Sequence, residues 1–525
     1  MSSSYRPMRY QSLSPLMKEN ETSTIGKSTG AQAATMADTL PSQPDANAIP
    51  PTPSDSSNHR HKTRTPTGLG KEPLNIVILG ASFAGLSCAH HFLDYTYKQL
   101  NTSTAVPPYR LVIVSPSTHI YWNIAAPRAI VGPDAFPNGA LFKEIEEGFH
   151  RHRGSGTVFV QGEAIGLDLS ARVVRVNLFG KEGIKRASVV AGSKRNSRNL
   201  DDPTAGPNSK IQTIPYHALI IATGSSAHSD LLSLHGTHLN TLGALTAFHA
   251  RAAVARSIVI CGGGPSGVEC AGQLATYLNY TGRAPFRRRV KNPKLIVLIT
   301  GGDRCLPNLP APVGAHAKRL LHALGVEIRH GVRVLAAKEP PLPTAHQTLV
   351  RLNDNTTLAA DVYIPCTGVD PNSAFCPPQL KDSKNYILTS PTTLRLTHPT
   401  AGPRLYALGD VAAYSANYVL DVYAAVPVLM HNLLNDLLAY EYHLASPYGR
   451  NQDKIDSLVD EEYRARKVDS QLCPISRFGG SGVLMGVKCP SWVVHLFKGR
   501  DYRVGKVGGV VRDGGNPYAV RGRYE

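Results

Sequence analysis

The six residues Gly262-Gly263-Gly264-Pro265-Ser266-Gly267 have the spacing that lets backbone amides close around a pyrophosphate, and they stand between an apolar run and a helical pattern. In that arrangement Gly262 makes the tight turn, Gly264 lets phosphate reach the backbone, and Gly267 lets helix and strand pack closely. A bound dinucleotide follows. An earlier stretch, Gly80-Ala81-Ser82-Phe83-Ala84-Gly85, keeps the two outer glycines but puts Ser82 in the middle, where its side chain occupies space that a phosphate would approach. Two further strand ends carry polar groups: Ile221-Ala222-Thr223-Gly224 and Ala407-Leu408-Gly409-Asp410. The Asp410 carboxylate can accept a hydroxyl hydrogen bond from a ribitol chain, which a flavin has and a nicotinamide dinucleotide lacks.

Glu269, two residues past Gly267, reads as a first-turn residue of the following helix. There it either interacts with the helix N-terminus or accepts hydrogen bonds from a nicotinamide carboxamide or ribose. After the next strand Thr300, Gly301 and Gly302 precede Asp303 and Arg304. A carboxylate at that turn would bind the ribose 2′-hydroxyl of NADH and an unpaired Arg the 2′-phosphate of NADPH, so the pair leaves both cofactors open. His119 and His150, with Tyr121, Trp122 and Phe149, either shape an acceptor site or pack a core. No metal-ligating set and no Ser/His/Asp arrangement stands out, as expected where a flavin takes hydride directly from nicotinamide.

These residues need strands and helices to hold them. Residues 74–79 are continuously apolar, as in a parallel strand buried on both faces, and a helix over 84–93 and a strand over 111–114 complete a strand-helix-strand unit. The same grammar recurs over 257–261, a helix to Tyr280, and 295–300. The expectation is an α/β fold with two doubly wound Rossmann-like domains, the second inserted in the first, plus a small C-terminal section. The boundaries read as a disordered tail over 1–71, a first domain over 72–250 and 385–445, a second over 251–384, and a C-terminal section over 446–525. Strands are expected at 157–160, 173–178, 217–221 and 404–408, a surface loop at 181–210, and a helix at 428–442.

The chain has 525 residues, enough for two or three domains, and 42% of them are apolar, the deficit lying in the Ser/Thr/Pro-rich tail. A formal charge of +18 invites nucleic-acid or anionic-membrane binding, yet the basic clusters, such as Arg283 to Lys294 with Phe286 at its edge, fall mainly in expected loops and tails. No run of about 18 uncharged apolar residues occurs, the nearest being broken by Asp421 and His431, so a membrane span is not expected. The C-terminal stretch of Trp492 to Phe497, followed by Lys498, Arg500, Arg503 and Lys506, either inserts shallowly at an anionic membrane or packs on the fold with its basic residues solvated. Eight cysteines without C-x-x-C spacing fit a reducing compartment, and a cytoplasmic location is expected, with mitochondrial or membrane-surface attachment open.

The segments NIVILGASFAGLSCAHHF, YHALIIATGSS, SIVICGGGPSGVECAGQLA, DVYIPCTGVDPNS and RLYALGDVA, in this order, resemble the pyridine-nucleotide-dependent flavoprotein reductases. Within them the chain is similar to the apoptosis-inducing-factor-like branch, which includes the mitochondrion-associated inducer of death and ferroptosis suppressor proteins, over roughly residues 74–510. The resemblance implies FAD on Gly80, Ala81, Ser82, Phe83, Ala84 and Gly85, with Arg128 beside the flavin or its phosphates. It further implies backbone contacts from Ala164 to the adenine, Thr223 and Gly224 near the flavin, and Gly409 and Asp410 at the ribitol. NADH or NADPH would lie on Gly262, Gly264 and Gly267, with Glu269 near the nicotinamide. Ser115 departs from the acidic ribose ligand of many relatives, and residues 115–131 lack the cysteine pair of the disulfide reductases. The implied function is an FAD-dependent enzyme that takes hydride from NAD(P)H and passes electrons to a small acceptor such as a quinone. A flavin oxidase or biosynthetic tailoring enzyme, and a non-catalytic signalling or nucleic-acid-binding flavoprotein, are the alternatives.

Overall fold

A computed structural model describes residues 72–100, 105–137, 139–180, 210–282, 287–338, 347–446, 449–465 and 469–519, all within one compact unit, Leu69–Glu525. The expected tail over 1–71, most of the 181–210 loop, and Arg283 and Phe286 lie outside the described residues. In chain order β1 (Leu74–Leu79), β2 (Tyr109–Ser115), β3 (Val158–Asp168), β4 (Val173–Leu178), β5 (Lys210–Pro215) and β6 (Ala218–Ile221) are followed by four strands of another sheet. Those are β7 (Ser257–Cys261), β8 (Leu295–Thr300), β9 (Glu327–His330) and β10 (Val362–Pro365), after which β11 (Leu405–Ala407) returns to the first. The seven-stranded sheet runs β11-β6-β1-β2-β3-β4-β5 and the four-stranded sheet β9-β8-β7-β10. Gly80 and Gly262 therefore end the middle strands of different sheets, and the second sheet is inserted between strands of the first.

Apolar runs decide this architecture. Ile76 and Ile78 of β1 point into one core cluster and Val77 and Leu79 into another, so both faces of the strand are buried. Strand β7 does the same with Ile258 and Ile260 against Val259. Parallel pairing of β1 with β2 and β6, and of β7 with β8 and β10, brings the strand ends that carry the glycine motifs to one edge of each sheet. Helix α1 (Phe83–His91) follows the first motif. Then come α2 (His238–Val254), α3 (Pro265–Leu278), α4 (Ala311–Ala323) and α5 (Val419–Ala445).

Helix α5 extends the expected 428–442 in both directions, with Pro427 inside it. It is long and apolar enough to cross a membrane by length and composition only, and most of its apolar window is buried inside the fold. Its Leu429, Met430, Leu433 and Leu437 are fully buried in the core of the fold. The C-terminal section is a three-stranded antiparallel sheet, β12 (Gln471–Ser476), β13 (Gly479–Leu484) and β14 (Val487–Lys488), followed by short helical turns.

Candidate active site

Backbone crowding fixes both glycine loops. Gly80 has φ +103°, and a Cβ there would stand 2.2 Å from the Ala222 carbonyl oxygen; at Gly85 it would stand 1.8 Å from the oxygen of Gly80. The β1–α1 turn is thus folded against the end of β6. The second loop repeats the arrangement: Gly262 has φ +129° with its Cβ position 2.1 Å from the Cys366 oxygen, and that of Gly267 is 1.9 Å from the Gly262 oxygen. Only glycine fits at these four positions. Gly264 differs, because nothing lies within 4 Å of where its side chain would project. Open space over the first amides of α3 is what a pyrophosphate requires. Ser82 precedes α1 without capping it.

A cavity of about 680 Å³ lies over the first loop. Gly80, Ala81, Ser82, Phe83 and Ala84 line it, together with Ser115, Ala164, Thr223, Gly224, Gly409 and Asp410. A second cavity of about 610 Å³ lies over Gly262, Gly263 and Gly264 and reaches Glu269, Cys366 and Lys498. Asn123, Ile124, Ser225, Ser233, Asp410 and Asn417 belong to both walls, so the cavities meet there. The donor chemistry and open loops fit an adenine dinucleotide in each, with Asp410 at the junction. Its carboxylate accepts a hydrogen bond from Ser225 Oγ at 3.2 Å. Burial pushes the Asp410 pKa up, Ser225 opposes the shift, and the nearby Asp421 adds to it.

Glu269 is the fifth residue of α3, beyond the first turn where the sequence reading put it, and the helix end is not its partner. It is 3% exposed. Its Oε1 accepts a hydrogen bond from Lys498 Nζ at 2.7 Å, and among the described residues its Oε2 lacks a hydrogen-bond partner within bonding distance. Burial raises the Glu269 pKa, with Lys498 acting against the rise. For Lys498, burial works downward but is outweighed by Glu269 together with Tyr518 and Cys473, and the net shift is upward. Each member of the pair holds its proton harder than it would in water.

Lys498 also donates to the Leu472 oxygen at 3.1 Å, so it is neither a solvated tail residue nor a membrane contact. Sequence spacing could not reveal a partner 229 residues away; the one available signal is a lysine embedded in an apolar-aromatic stretch. Arg128 is also placed differently from the implied flavin contact. Its guanidinium donates to Gln273 Oε1 at 3.0 Å and to the oxygens of Arg500 and Gly499 at 3.0 and 2.7 Å, and it stacks on Tyr502. It lines neither cavity, and nor do Gly85 and Gly267, which act through packing. His119 lines the first cavity, its ring 4.0 Å from that of His238. Tyr121 also lines the first cavity, whereas Trp122 is fully buried and donates to the Tyr502 oxygen, Phe149 stacks on His90, and His150 is exposed, so the group is divided between cavity wall, core and surface. The eight cysteines are free thiols, and of them only Cys366 lines either cavity.

Residues 74–431 match a family model described as pyridine nucleotide-disulphide oxidoreductase. Oxidoreductase phnG of Penicillium herquei is 34% identical over 435 residues, covering 82% of this chain and 93% of that protein. Oxidoreductase ptaL of Pestalotiopsis fici is 32% identical over 340 residues, covering 64% and 77%. The structure of NDH2 from Plasmodium falciparum in complex with NADH superposes with a TM-score of 0.52 at 13% identity, covering 84% of this chain and 96% of that one, a likeness of fold.

Proposed function

The chain belongs to the pyridine nucleotide-disulphide oxidoreductase family, as an FAD- and NAD(P)H-dependent oxidoreductase, and we propose that it delivers the electrons of NAD(P)H to a small organic acceptor of quinone type. Bound FAD and NAD(P)H supply hydride transfer between their rings, which needs no protein base. The assignments that support this reading are residues 72–250 and 385–445 for FAD and 251–384 for NAD(P)H. Within them Gly80 to Ala84 and Thr223-Gly224 would hold the flavin nucleotide, Asp410 the ribitol hydroxyls, and Gly262 to Gly264 the nicotinamide nucleotide.

The observation that carries the acceptor class is the buried Glu269–Lys498 pair on the cavity wall. A quinone oxygen that gains electrons must also gain a proton, and a carboxyl whose pKa is raised by burial holds its proton to higher pH than an exposed one. Lys498 then stabilises the carboxylate left behind. The motif set also supports the apoptosis-inducing-factor-like branch. Exposed Trp492, Leu496 and Phe497 support contact with a membrane surface, from which a lipid-soluble acceptor would enter. The deciding experiment is anaerobic reduction by NAD(P)H followed by oxygen, quinones and candidate metabolites side by side. Rapid reoxidation by quinones alone is expected; reoxidation by oxygen alone would identify an oxidase, and by a metabolite alone a tailoring enzyme.

A further inference from the structure

We propose that the nucleotide site over Gly262 to Gly264 selects NADPH over NADH, with Arg333, at the β8 turn beyond the wall of the second cavity, holding the 2′-phosphate. The inference rests on the nucleotide assignment above. In a Rossmann-like unit the adenosine ribose lies at the end of the strand after the glycine motif, and an acid there serves the 2′-hydroxyl of NADH. Here that strand, β8, ends in Thr300, which is 1% exposed. Its hydroxyl donates to the Gly302 oxygen at 2.7 Å and lies 3.0 Å from His330 Nδ1, so it is committed to the turn.

The turn itself is held against the phosphate loop. A Cβ at Gly263 would lie 2.9 Å from Thr300 Cβ, and Leu306 N donates to the Gly263 oxygen at 2.7 Å. A ribose following the pyrophosphate must therefore pass over Gly301 and Gly302. Beside it the Arg333 stem runs along the turn, with Cγ 3.1 Å from the Cβ position of Gly301. Arg333 reaches this place from the segment after β9, which is why the spacing of the β8 turn alone did not reveal it.

Among the described residues the Arg333 guanidinium makes no ion pair or hydrogen bond; only its backbone is used, the N–H donating to Asn353 Oδ1 and the carbonyl accepting from Asn353 N. Arg304 adds a second guanidinium, which spends one donor on the Pro307 oxygen. The remaining titratable groups acting on His330 are Lys318 and His322, both of which disfavour its protonation, and Asp303, the one acid on the turn. An exposed guanidinium with its donors free matches a phosphate dianion bidentately, whereas the ribose hydroxyls of NADH would leave it unsatisfied.

The test is calorimetric titration of the full FAD-loaded chain with NADP+ and NAD+, and with 2′,5′-ADP and 5′-ADP, which lack the nicotinamide half. NADP+ and 2′,5′-ADP are expected to bind at least about tenfold tighter than their counterparts, and Arg333→Ala to erase that ratio while NAD+ affinity stays within about twofold. Arg333→Lys should keep part of the preference. Equal or tighter binding of NAD+, or an Arg333→Ala variant that weakens both dinucleotides alike, would overturn the assignment to Arg333. Binding of neither dinucleotide to wild type would instead overturn the functional reading, and this inference with it.

Discussion

Asp410 sits where the two cavities meet, and among the described residues its carboxylate has one hydrogen-bond donor, Ser225. Asp410→Ala should therefore weaken flavin retention by about 1.5–3 kcal/mol, the worth of a hydrogen bond to a charged group. The flavin-to-protein ratio after gel filtration checks this, and full occupancy in the variant would remove Asp410 from the site. Glu269→Gln keeps a hydrogen-bond acceptor for Lys498 but cannot give up a proton. It should slow acceptor reduction by about 10²–10⁴-fold while NAD(P)H still bleaches the flavin. The pH profile separates this from a structural effect. A carboxyl whose pKa is raised stays protonated to higher pH, so wild-type acceptor reduction should fall as pH rises through the raised value, and the Gln variant should lack that limb. Residues of this kind were legible in the sequence when their chemistry is local. Gly80 and Gly262 announce themselves because the same few residues make the turn and its crowding, and Asp410 because it ends a strand. Lys498 and Arg333 were not legible, since each becomes part of the site only when a distant segment folds over it.

At the scale of elements, helix α3 joins the nucleotide loop to the C-terminal section. A Cβ at Gly272, in the middle of α3, would stand 2.2 Å from the Ile475 oxygen on β12, and Gln273 Nε2 donates to the Pro474 oxygen at 3.1 Å. A mid-helix glycine costs about 1 kcal/mol relative to alanine when read alone; here close approach of β12 explains it. Gly272→Val should lower the melting temperature, by overpacking worth about 1–3 kcal/mol, and also slow acceptor reduction because β12 carries the segment that presents Lys498. Thermal unfolding followed beside NAD(P)H–quinone turnover tests both. Trp492 and Leu496 are 65% and 53% exposed. If they touch lipid, Trp492→Ser/Leu496→Ser should lose flotation with anionic liposomes while keeping wild-type flavin content, and unchanged flotation would remove these residues from the contact. The central strands β1, β2, β6, β7 and β8 were readable as apolar runs, and α1 and α3 from the glycines before them, whereas β5 (Lys-Ile-Gln-Thr-Ile-Pro) and β9 (Glu-Ile-Arg-His) carry too many polar residues to be read that way. The C-terminal sheet was not readable, since its glycines are selected by contact with other segments: Gly480 would meet the Cys473 oxygen at 2.0 Å and Gly479 the Ser491 side chain at 2.2 Å.

Over the whole molecule, stability should depend on acid through His217, which connects β5 to β6 and packs edge-on against Tyr440 of α5 with ring centroids 4.4 Å apart. Burial, helped by Arg404 and Arg172, lowers its pKa from 6.5 to about 3. A depressed value means that the folded state stays neutral while the unfolded chain takes the proton. This contribution is therefore complete above pH 6.5 and is lost as pH falls toward about 3. Denaturant midpoints measured across that window should fall less steeply for His217→Phe than for wild type. The arrangement of two sheets, each built on parallel central strands, was legible because β1 and β7 repeat one pattern, and the return of β11 to the first sheet because a strand ending in Gly-Asp stands so far downstream; the antiparallel pairing of β3 with β4 and of β4 with β5 was not. That return also sets an order of events at the ribosome. Strand β6 ends at Ile221 and its neighbour β11 begins at Leu405, so a growing chain carries an unpaired sheet edge while all of β7 to β10 is being made. Asp410 emerges later still, so nascent chains cannot grip flavin through it until the second sheet has already been synthesised. Cells short of riboflavin would then accumulate full-length chains whose first sheet is complete but whose cavity is unfilled, open to proteolysis in proportion to the missing ligand.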